Sequence, residues 1–223
     1  MTKRKIALLA ALAVLAAWVV VSRTPKAQNR VLADAFPAGL LLSPATCTTP
    51  EWPREARRYE IDGITVLHFQ IGADGGIKDA QVVKSSSWQL LDEAAMRSLV
   101  KCKFKPGLGE AGSATYPIQF VWTLSGPPTI RPALVPGSCA ESGQFAGFEG
   151  FNRAVTSADG VLVRFLVDAA GAAIGVKAEG ASGPAPAATD FVRSCRFAVD
   201  NSLPGEKTDT VYGRVLVKAK QDL

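Results

Sequence analysis

The chain has 223 residues, of which 48% are hydrophobic and 20% are charged, and its formal net charge is +5. This composition is typical of a globular protein and argues against a disordered or collagen-like chain. Six of the 25 basic residues lie in residues 1–33, which hold no acidic residue, so 19 basic residues face 20 acidic ones in the rest of the chain. Because that remainder is close to neutral, the sequence argues against a nucleic-acid-binding protein.

The N-terminus carries a membrane-insertion signal. Lys3, Arg4 and Lys5 precede Ile6–Val21, a run of apolar residues without a charge. A cleaved signal peptide and an uncleaved signal anchor both begin in this way. Large residues from Trp18 to Val21 occupy the place where a signal protease needs small ones, which favours an anchor over residues 1–23. The positive-inside rule then leaves the N-terminus in the cytoplasm and the rest of the chain in the periplasm, as a single-pass inner-membrane protein.

The four cysteines mark an internal repeat. Cys47 and Cys102 are 55 residues apart, and Cys139 and Cys195 are 56 residues apart. Each second cysteine opens the same short motif, Cys-Lys-Phe at Cys102 and Cys-Arg-Phe at Cys195. The repeat predicts two disulfides, Cys47–Cys102 and Cys139–Cys195, with four reduced buried thiols as the alternative. A metal site is disfavoured, because there is no Cys-x-x-Cys motif and His68 is the only histidine.

The first repeat has a β-β-α-β pattern. Residues 63–71 alternate as a strand, Asp74 and Gly75 supply a tight reversal, and residues 77–84 alternate as a second strand. One of the hydroxyls of residues 85–87 is expected to cap a helix, and Tyr116–Leu124 alternates as a third strand. This order predicts an α+β fold, a three-stranded antiparallel sheet with one helix on a face. The buried stripe of that helix is predicted to be Leu91, Ala94, Ala95, Leu99 and Val100.

A family resemblance rests on motifs spread through residues 47–125. This stretch closely resembles the TonB C-terminal domain family, with Trp52 as a departure because the family usually has tyrosine there. The motif residues are Trp52, Pro53, Gly63, Asp74, Gly75, Ser85, Ser86, Leu91, Asp92, Ala95, Phe104 and Pro106.

The second repeat keeps the order of elements and loses most of these motifs. Residues 161–167 predict a strand with Val161, Val163, Phe165 and Val167 facing inward, and residues 187–195 predict a short helix. We interpret residues 138–223 as a degenerate second TonB-like domain in tandem, the alternative being an unrelated small β-rich domain. Residues 24–46 and the Pro/Gly-rich residues 126–137 are then predicted to be linkers.

The resemblance implies a protein-binding role. Domains of this family recognise envelope partners, such as outer-membrane receptors, by pairing with an added strand. By analogy, the partner-binding edge is predicted to be the third strand, unless the second repeat or residues 47–60 cap it. The tandem could also act as an internal pseudo-dimer, and a homodimer is a further possibility. The edge residues would be Tyr116, Ile118, Phe120, Trp122 and Leu124.

Two departures from the family favour an adaptor or scaffold over an energy transducer. Transducers carry Ser and His in the anchor helix for coupling to a proton-driven motor complex, whereas Ile6–Val21 contains neither. They also carry a long Pro-rich spacer, whereas residues 22–46 span at most roughly 80 Å when fully extended. The alternative remains a TonB-type transducer that couples an inner-membrane motor complex to outer-membrane receptors.

The sequence offers no convincing catalytic constellation. His68 lies on the strand face opposite the predicted core, Asp92 has Glu93 and Arg97 beside it as an ordinary helix-surface ion pair, and the serines at 85–87 suit a helix cap. We therefore predict no enzymatic activity, no catalytic residue, no cofactor and no metal.

Overall fold

The computed structural model describes residues 27–32, 38–47, 49–107, 114–127, 129–151, 160–180 and 184–218. The predicted anchor, residues 1–23, lies outside these ranges and stays a prediction. Within the described ranges, none of the helices combines the length and the apolar character needed to cross a membrane.

The first half of the chain forms a four-stranded antiparallel sheet in the order β1-β4-β2-β3. We call these strands, with the two helices between them, the first unit. Short 3₁₀ turns at Ala38–Leu40 and Pro44–Thr46 follow β1. The elements are β1 (Ala27–Leu32), α1 (Arg54–Tyr59), β2 (Gly63–Ile71), β3 (Ile77–Lys84), α2 (Gln89–Leu99) and β4 (Thr115–Leu124).

The second half forms another four-stranded antiparallel sheet, in the order β6-β10-β7-β8. A short ladder between β5 and β9 stands apart from it. We call this half the second unit. Its elements are β5 (Ala133–Leu134), β6 (Phe145–Phe151), β7 (Val161–Val167), β8 (Ala173–Ala178), α3 (Ala185–Ser194), β9 (Phe197–Ala198) and β10 (Thr210–Val217).

The core of the first unit lies between its sheet and α2. Alternation along β2 buries Thr65, Leu67, Phe69 and Ile71 on the side facing α2, as a period of two requires. The helix contributes a stripe at helical spacing, which is the amphipathic pattern that docks a helix on a sheet. Its buried residues are Leu91, Ala94, Ala95, Ser98 and Leu99.

The second sheet is buried on both faces. Val163 and Phe165 of β7 and Val211 of β10 pack in the second unit's own core with α3. Leu162 and Tyr212, from the same two strands, belong instead to the core of the first unit. Successive side chains of a strand point to opposite faces, so the second sheet lies between α3 and the first unit.

Both predicted disulfides, Cys47–Cys102 and Cys139–Cys195, are confirmed. The α+β class with antiparallel sheets is also confirmed, and Val161, Val163 and Phe165 are buried as expected. The three-stranded sheet is wrong, because each sheet holds one more strand beside the predicted three.

Three smaller predictions are corrected. Val100 is half exposed, because α2 ends at Leu99. The N-cap of α2 is Trp88, which makes no side-chain capping bond, so none of the serines caps this helix. The two predicted linkers contain ordered structure, since residues 24–46 include β1 and residues 126–137 include β5.

Candidate partner-binding edge

The predicted binding strand, β4, is not an edge of its sheet. β2 pairs along one side of it, and β1 pairs antiparallel along the other, with Ala27 opposite Leu124 and Leu32 opposite Gln119. The cover therefore comes from a segment predicted to be a linker, and neither residues 47–60 nor the second unit provides it. All five predicted binding residues face the first unit's core or its margin: Tyr116, Ile118, Phe120, Trp122 and Leu124.

The direction of the β4 amides can be assigned from hydrogen bonds at the ends of the sheet. Leu124 donates its backbone N–H to the Asp62 carboxylate, on the β2 side, at 3.2 Å. At the far end of β2, the amide of Gly72 donates to the Gly76 carbonyl across the β2–β3 turn at 2.8 Å. Even-numbered amides of β2 therefore face β3 and odd-numbered ones face β4, which agrees with the direction of the Leu124 amide. Amides in a strand point alternately to the two neighbours. The β4 amides that face β1 are therefore those of Gln119, Val121 and Thr123.

The second unit fills the corresponding position with a different segment. There, β6 pairs antiparallel with the C-terminal strand β10, as β1 does with β4. However, β6 follows the first cysteine of its unit, Cys139, whereas β1 precedes its counterpart Cys47. In the first unit the residues after Cys47 form α1 instead. Two non-equivalent segments thus occupy the same place beside the C-terminal strand.

The opposite edge of the first sheet is β3. Asp79 has a φ of 49° there, and the β2–β3 register is irregular at two points. Val82 and Val83 are exposed at its C-terminal end. Irregular geometry of this kind weakens an edge as a template for strand pairing.

Asp92 organises the Ser-Ser motif. Its carboxylate accepts hydrogen bonds from the buried Thr65 hydroxyl at 2.7 Å, from the Ser85 hydroxyl, and from the Ser86 amide at 2.9 Å. It thereby joins β2, the loop after β3 and the first turn of α2. The Glu93–Arg97 ion pair predicted beside it is present at 3.4 Å, with both side chains exposed. The predicted surface role holds for that pair, while Asp92 itself has a structural role.

Two glycines of the motif lie where a side chain would collide. A Cβ on Gly63 would lie 2.8 Å from the Ser86 Cβ. Gly75 has a φ of +76°, and a Cβ there would lie 2.1 Å from the Phe104 carbonyl oxygen. The Phe104 amide donates to the Gly75 carbonyl at 2.8 Å, which holds the β2–β3 turn against the residues after α2. The turn itself is held by Asp74, whose pKa is lowered mainly by the Gly76 amide that it accepts.

The remaining motif residues belong to the first unit's core or its borders. The ring of Trp52 packs edge-on against Trp122 of β4, with centroids 5.6 Å apart, so the departure from tyrosine keeps a packing role. Pro53 is the N-cap of α1, and Leu91, Ala95 and Phe104 are buried. Pro106 is exposed after the last of these. His68 is half-buried on the face away from α2, paired with Pro117 of β4.

The units meet through a network of ion pairs that the sequence did not predict. Arg164 of β7, largely buried, donates to Glu55 of α1 at 3.0 Å and also pairs with Glu179, which follows β8. Lys177 reaches the same Glu55 oxygen at 2.8 Å. Burial alone would raise the pKa of Glu55, but hydrogen bonds and charge from Arg164, then from Lys177, outweigh it and hold the pKa below its usual range.

The second unit also completes the start of α2. Glu179 accepts the backbone N–H of Gln89, the first helical residue, at 3.2 Å. A carboxylate at this place satisfies an otherwise unpaired amide and interacts favourably with the helix dipole. Beside it, Trp88 packs edge-on against Tyr212, with centroids 5.7 Å apart. The cap that the serines were predicted to supply therefore comes in part from the other half of the chain.

Arg131 lies at the centre of the segment predicted to be the second linker. It donates to Glu60 at 2.9 Å, to the Tyr59 carbonyl at 3.1 Å and to the Thr210 hydroxyl at 2.6 Å. Its guanidinium lies 4.8 Å from the centroid of the Tyr212 ring. This residue fixes the connecting segment to both units.

Comparison with known proteins identifies the first unit. Residues 48–124 match the family described as Gram-negative bacterial TonB protein C-terminal. This part of the chain therefore belongs to the TonB C-terminal domain family. Among relatives, Protein tonB2 of Pseudomonas aeruginosa is 34% identical over 87 residues, which cover 37% of this chain and 31% of the relative. The chain thus aligns with less than a third of the length of that protein.

Proposed function

We propose that this protein is an envelope adaptor or scaffold, anchored in the inner membrane by residues 1–23 and binding partner proteins in the periplasm through strand addition to the first unit. Its role is binding rather than catalysis. Membership of residues 48–124 in the TonB C-terminal domain family supports a protein-interaction role in the envelope. The single observation that supports the binding mode is the β1–β4 ladder, in which the chain's own six-residue strand β1 pairs antiparallel along β4 as a partner strand would.

We further propose that the second unit is a diverged copy of the first, and repeated backbone contacts support this. The Phe197 amide donates to the Gly171 carbonyl at 2.8 Å, as Phe104 does to Gly75. Gly171 also has a positive φ, +77°. A residue before the first cysteine of each unit pairs with this phenylalanine, Leu41 in the first unit and Leu134 in the second. Such local details are not required by an unrelated β-rich domain.

The alternative function is that of a TonB-type energy transducer. The similarity to Protein tonB2 favours it, because the resemblance to the TonB family implies a transducer as one of the expected roles. The anchor sequence disfavours it, since Ile6–Val21 lacks the Ser and His expected for coupling to a motor complex. We therefore rank the adaptor role first.

In-cell photo-crosslinking tests the proposal. A photoreactive amino acid would replace Thr123 on β4 or Gln81 on β3, two exposed residues of the first sheet. Ile174 on β8, 46% exposed, is the matched position on the second unit. We expect a specific envelope protein to be captured from Thr123 and identified by mass spectrometry, with little capture from Ile174.

The identity of the captured protein separates the two roles. An inner-membrane or periplasmic protein whose capture survives deletion of the motor complex supports an adaptor. Capture of the N-terminal segment of an outer-membrane receptor, together with loss of receptor-dependent uptake when this chain is deleted, would replace the adaptor by a transducer. If no envelope protein is captured from any position on the first sheet, the binding role is wrong.

A further inference from the structure

We infer that Ala27–Leu32 is a releasable strand that keeps the binding edge of β4 closed, and that an extended segment of another envelope protein takes its place. The inference rests on the proposed function, since it concerns the regulation of the same edge. It differs from simple strand addition because the acceptor is already occupied by the chain's own β1.

The two units show that the occupant of this position is not fixed by the fold. β6 is built into both cores: Phe145 and Phe148 are buried in the core of the second unit and Phe151 in that of the first, and Phe148 packs edge-on against Phe165 with centroids 5.5 Å apart. Just before β6, Gln144 accepts the amide of Lys218 at 2.8 Å. A strand that contributes three buried aromatic side chains cannot leave without opening a core.

β1 has a different composition and a different place in the chain. Its sequence is Ala-Gln-Asn-Arg-Val-Leu, with three consecutive polar residues and no aromatic one. Asparagine is depleted in strands, and Asn29 is paired in register with the fully buried Trp122. β1 therefore brings no aromatic side chain to the sheet, in contrast to β6, and its backbone pairs with β4 along all six residues.

Release of β1 would expose the backbone groups that recognise a partner. The amides of Gln119, Val121 and Thr123 face β1, and their register partners are Leu32, Arg30 and Gln28. A partner's extended segment can replace these contacts one for one, because backbone pairing depends little on side chains. A partner can bind only while β1 is released. Its apparent affinity therefore equals its intrinsic affinity multiplied by the fraction of time that β1 is released.

The first test is native-state amide exchange followed by NMR on the wild-type chain. If β1 opens separately, the amides facing β1 (Gln119, Val121 and Thr123) will exchange at least about tenfold faster than those facing β2 (Ile118, Phe120 and Trp122). Equal protection of the two sets would overturn the inference, because it would mean that β1 leaves only when the whole sheet unfolds.

The second test removes the ladder donors of β1 in the full chain. Gln28→Pro with Arg30→Pro removes two amides that point at β4, whereas Asn29→Pro with Val31→Pro removes two that point outward, where an edge strand tolerates proline. The probe is a fluorescent synthetic peptide copying residues 24–35. If β1 is bound about 90% of the time or more, the Q28P/R30P chain will bind the peptide at least about tenfold more tightly than the wild type or the N29P/V31P control.

Equal peptide binding by all three chains, or none by the Q28P/R30P chain while its thermal unfolding stays cooperative, would overturn the inference. Unchanged disulfides and cooperative unfolding show that the variant is folded. If the variant fails to fold, the amide-exchange result on the wild type decides.

Crosslinking in cells separates this inference from the adaptor proposal. The Thr123 photo-crosslinker is placed in the wild type and in the Q28P/R30P chain. Higher capture of the same envelope protein by the variant supports both ideas. Equal capture by the two chains would overturn the release of β1 and leave the adaptor standing. Peptide binding in vitro with no envelope protein captured by either chain would support release and overturn the adaptor. Capture of a second copy of this chain would overturn the assignment of the occupant to another protein.

Discussion

The residues that follow the first cysteine adopt different structures in the two units. After Cys47 the chain forms the helix α1, and after Cys139 it forms the strand β6. The surroundings are nevertheless alike, with the same strand order, the same disulfide pattern and the same glycine–phenylalanine contact. The comparison teaches that the strand beside the C-terminal strand is a position that different segments can fill.

The difference also explains why the units pack together. By forming a helix instead of a strand, the residues after Cys47 present Glu55 and Arg58 to the second unit. Glu55 pairs with Arg164, and the Arg58 Nη2 group donates to both carboxylate oxygens of Asp209, at 2.8 and 2.9 Å. At this place in the chain the first unit has a helix where the second unit has a strand. This helix belongs to the surface that covers the face of the second sheet opposite α3.

The largest expected effect comes from breaking this interface at Arg164. Arg164→Met leaves Glu179 with a side chain only 12% exposed and without its cation, so we expect a loss of about 3–5 kcal/mol in the free energy of unfolding. Chemical denaturation of the purified protein measures it. Lys177→Met is the matched control, because Lys177 contacts the same Glu55 but is 57% exposed, and we expect a loss of at most about 1 kcal/mol. Equal losses in the two variants would contradict a buried role for Arg164.

A medium effect is expected at the glycines that the two units share. Gly75→Ala and Gly171→Ala place a Cβ 2.1 Å and 2.5 Å from a phenylalanine carbonyl oxygen. Gly107 and Gly180 have similar positive φ values but nothing within 4 Å of a Cβ. Thermal unfolding of the four alanine variants should show losses of about 1 kcal/mol for the two controls and about 2–3 kcal/mol for the two test positions.

This set of variants sharpens the comparison between the units. Similar excess losses at Gly75 and Gly171 would mean that the turn and the phenylalanine do the same structural work in both. No excess at Gly171 over Gly180 would mean that the second unit shares only its strand order with the first.

The smallest expected effect is a pH dependence at the interface. Because the folded-state pKa of Glu55 is lowered, its ionised form stabilises the fold above the ordinary value of 4.5, and this contribution is lost as the pH falls through the folded-state pKa. Unfolding of wild type and Glu55→Gln should therefore differ at neutral pH and converge as the pH falls below 4.5. A difference that stays constant down to the acid limit would assign the effect to packing.

Much of the first unit was predictable because its elements carry strong periodic signals. Strict alternation from Gly63 to Ile71 identified β2, and the spacing of Leu91, Ala95 and Leu99 identified α2. The disulfides followed from the matched cysteine spacings. These features depend on short-range pattern, which a single sequence displays directly.

β1 and β6 were missed for opposite reasons. Ala27–Leu32 has a polar centre without alternation, and its partner strand lies about 90 residues away, so only long-range pairing makes it a strand. In β6 the buried phenylalanines lie three residues apart, at 145, 148 and 151. Phe145 and Phe148 share the face of the second unit's core because the pairing with β10 is irregular between Leu216 and Val217, whereas Phe151 lies on the opposite face, in the first unit's core. A spacing of three does not resemble the period of two expected for a strand.

The sequence of the second unit indicates the interface, but our prediction assigned only one buried face to residues 161–167. Val161, Leu162 and Val163 form a continuous apolar run, and β10 is buried along Thr210–Val215 without alternation. Runs of this kind are typical of strands covered on both faces. The ion pairs around Arg164 could not be predicted, because they join residues from distant parts of the chain.

The pairing of β1 with β4 also shortens the connecting segment between the predicted anchor and the folded part of the protein. Residues 22–46 could reach roughly 80 Å if extended, yet with β1 in the sheet only residues 22–26 remain, about 18 Å at most. Release of β1 would let residues 22–37 extend to roughly 55 Å before the next described turn. Opening the binding edge and lengthening the arm would then be one event, so a partner that takes the place of β1 also allows the first unit to move away from the membrane.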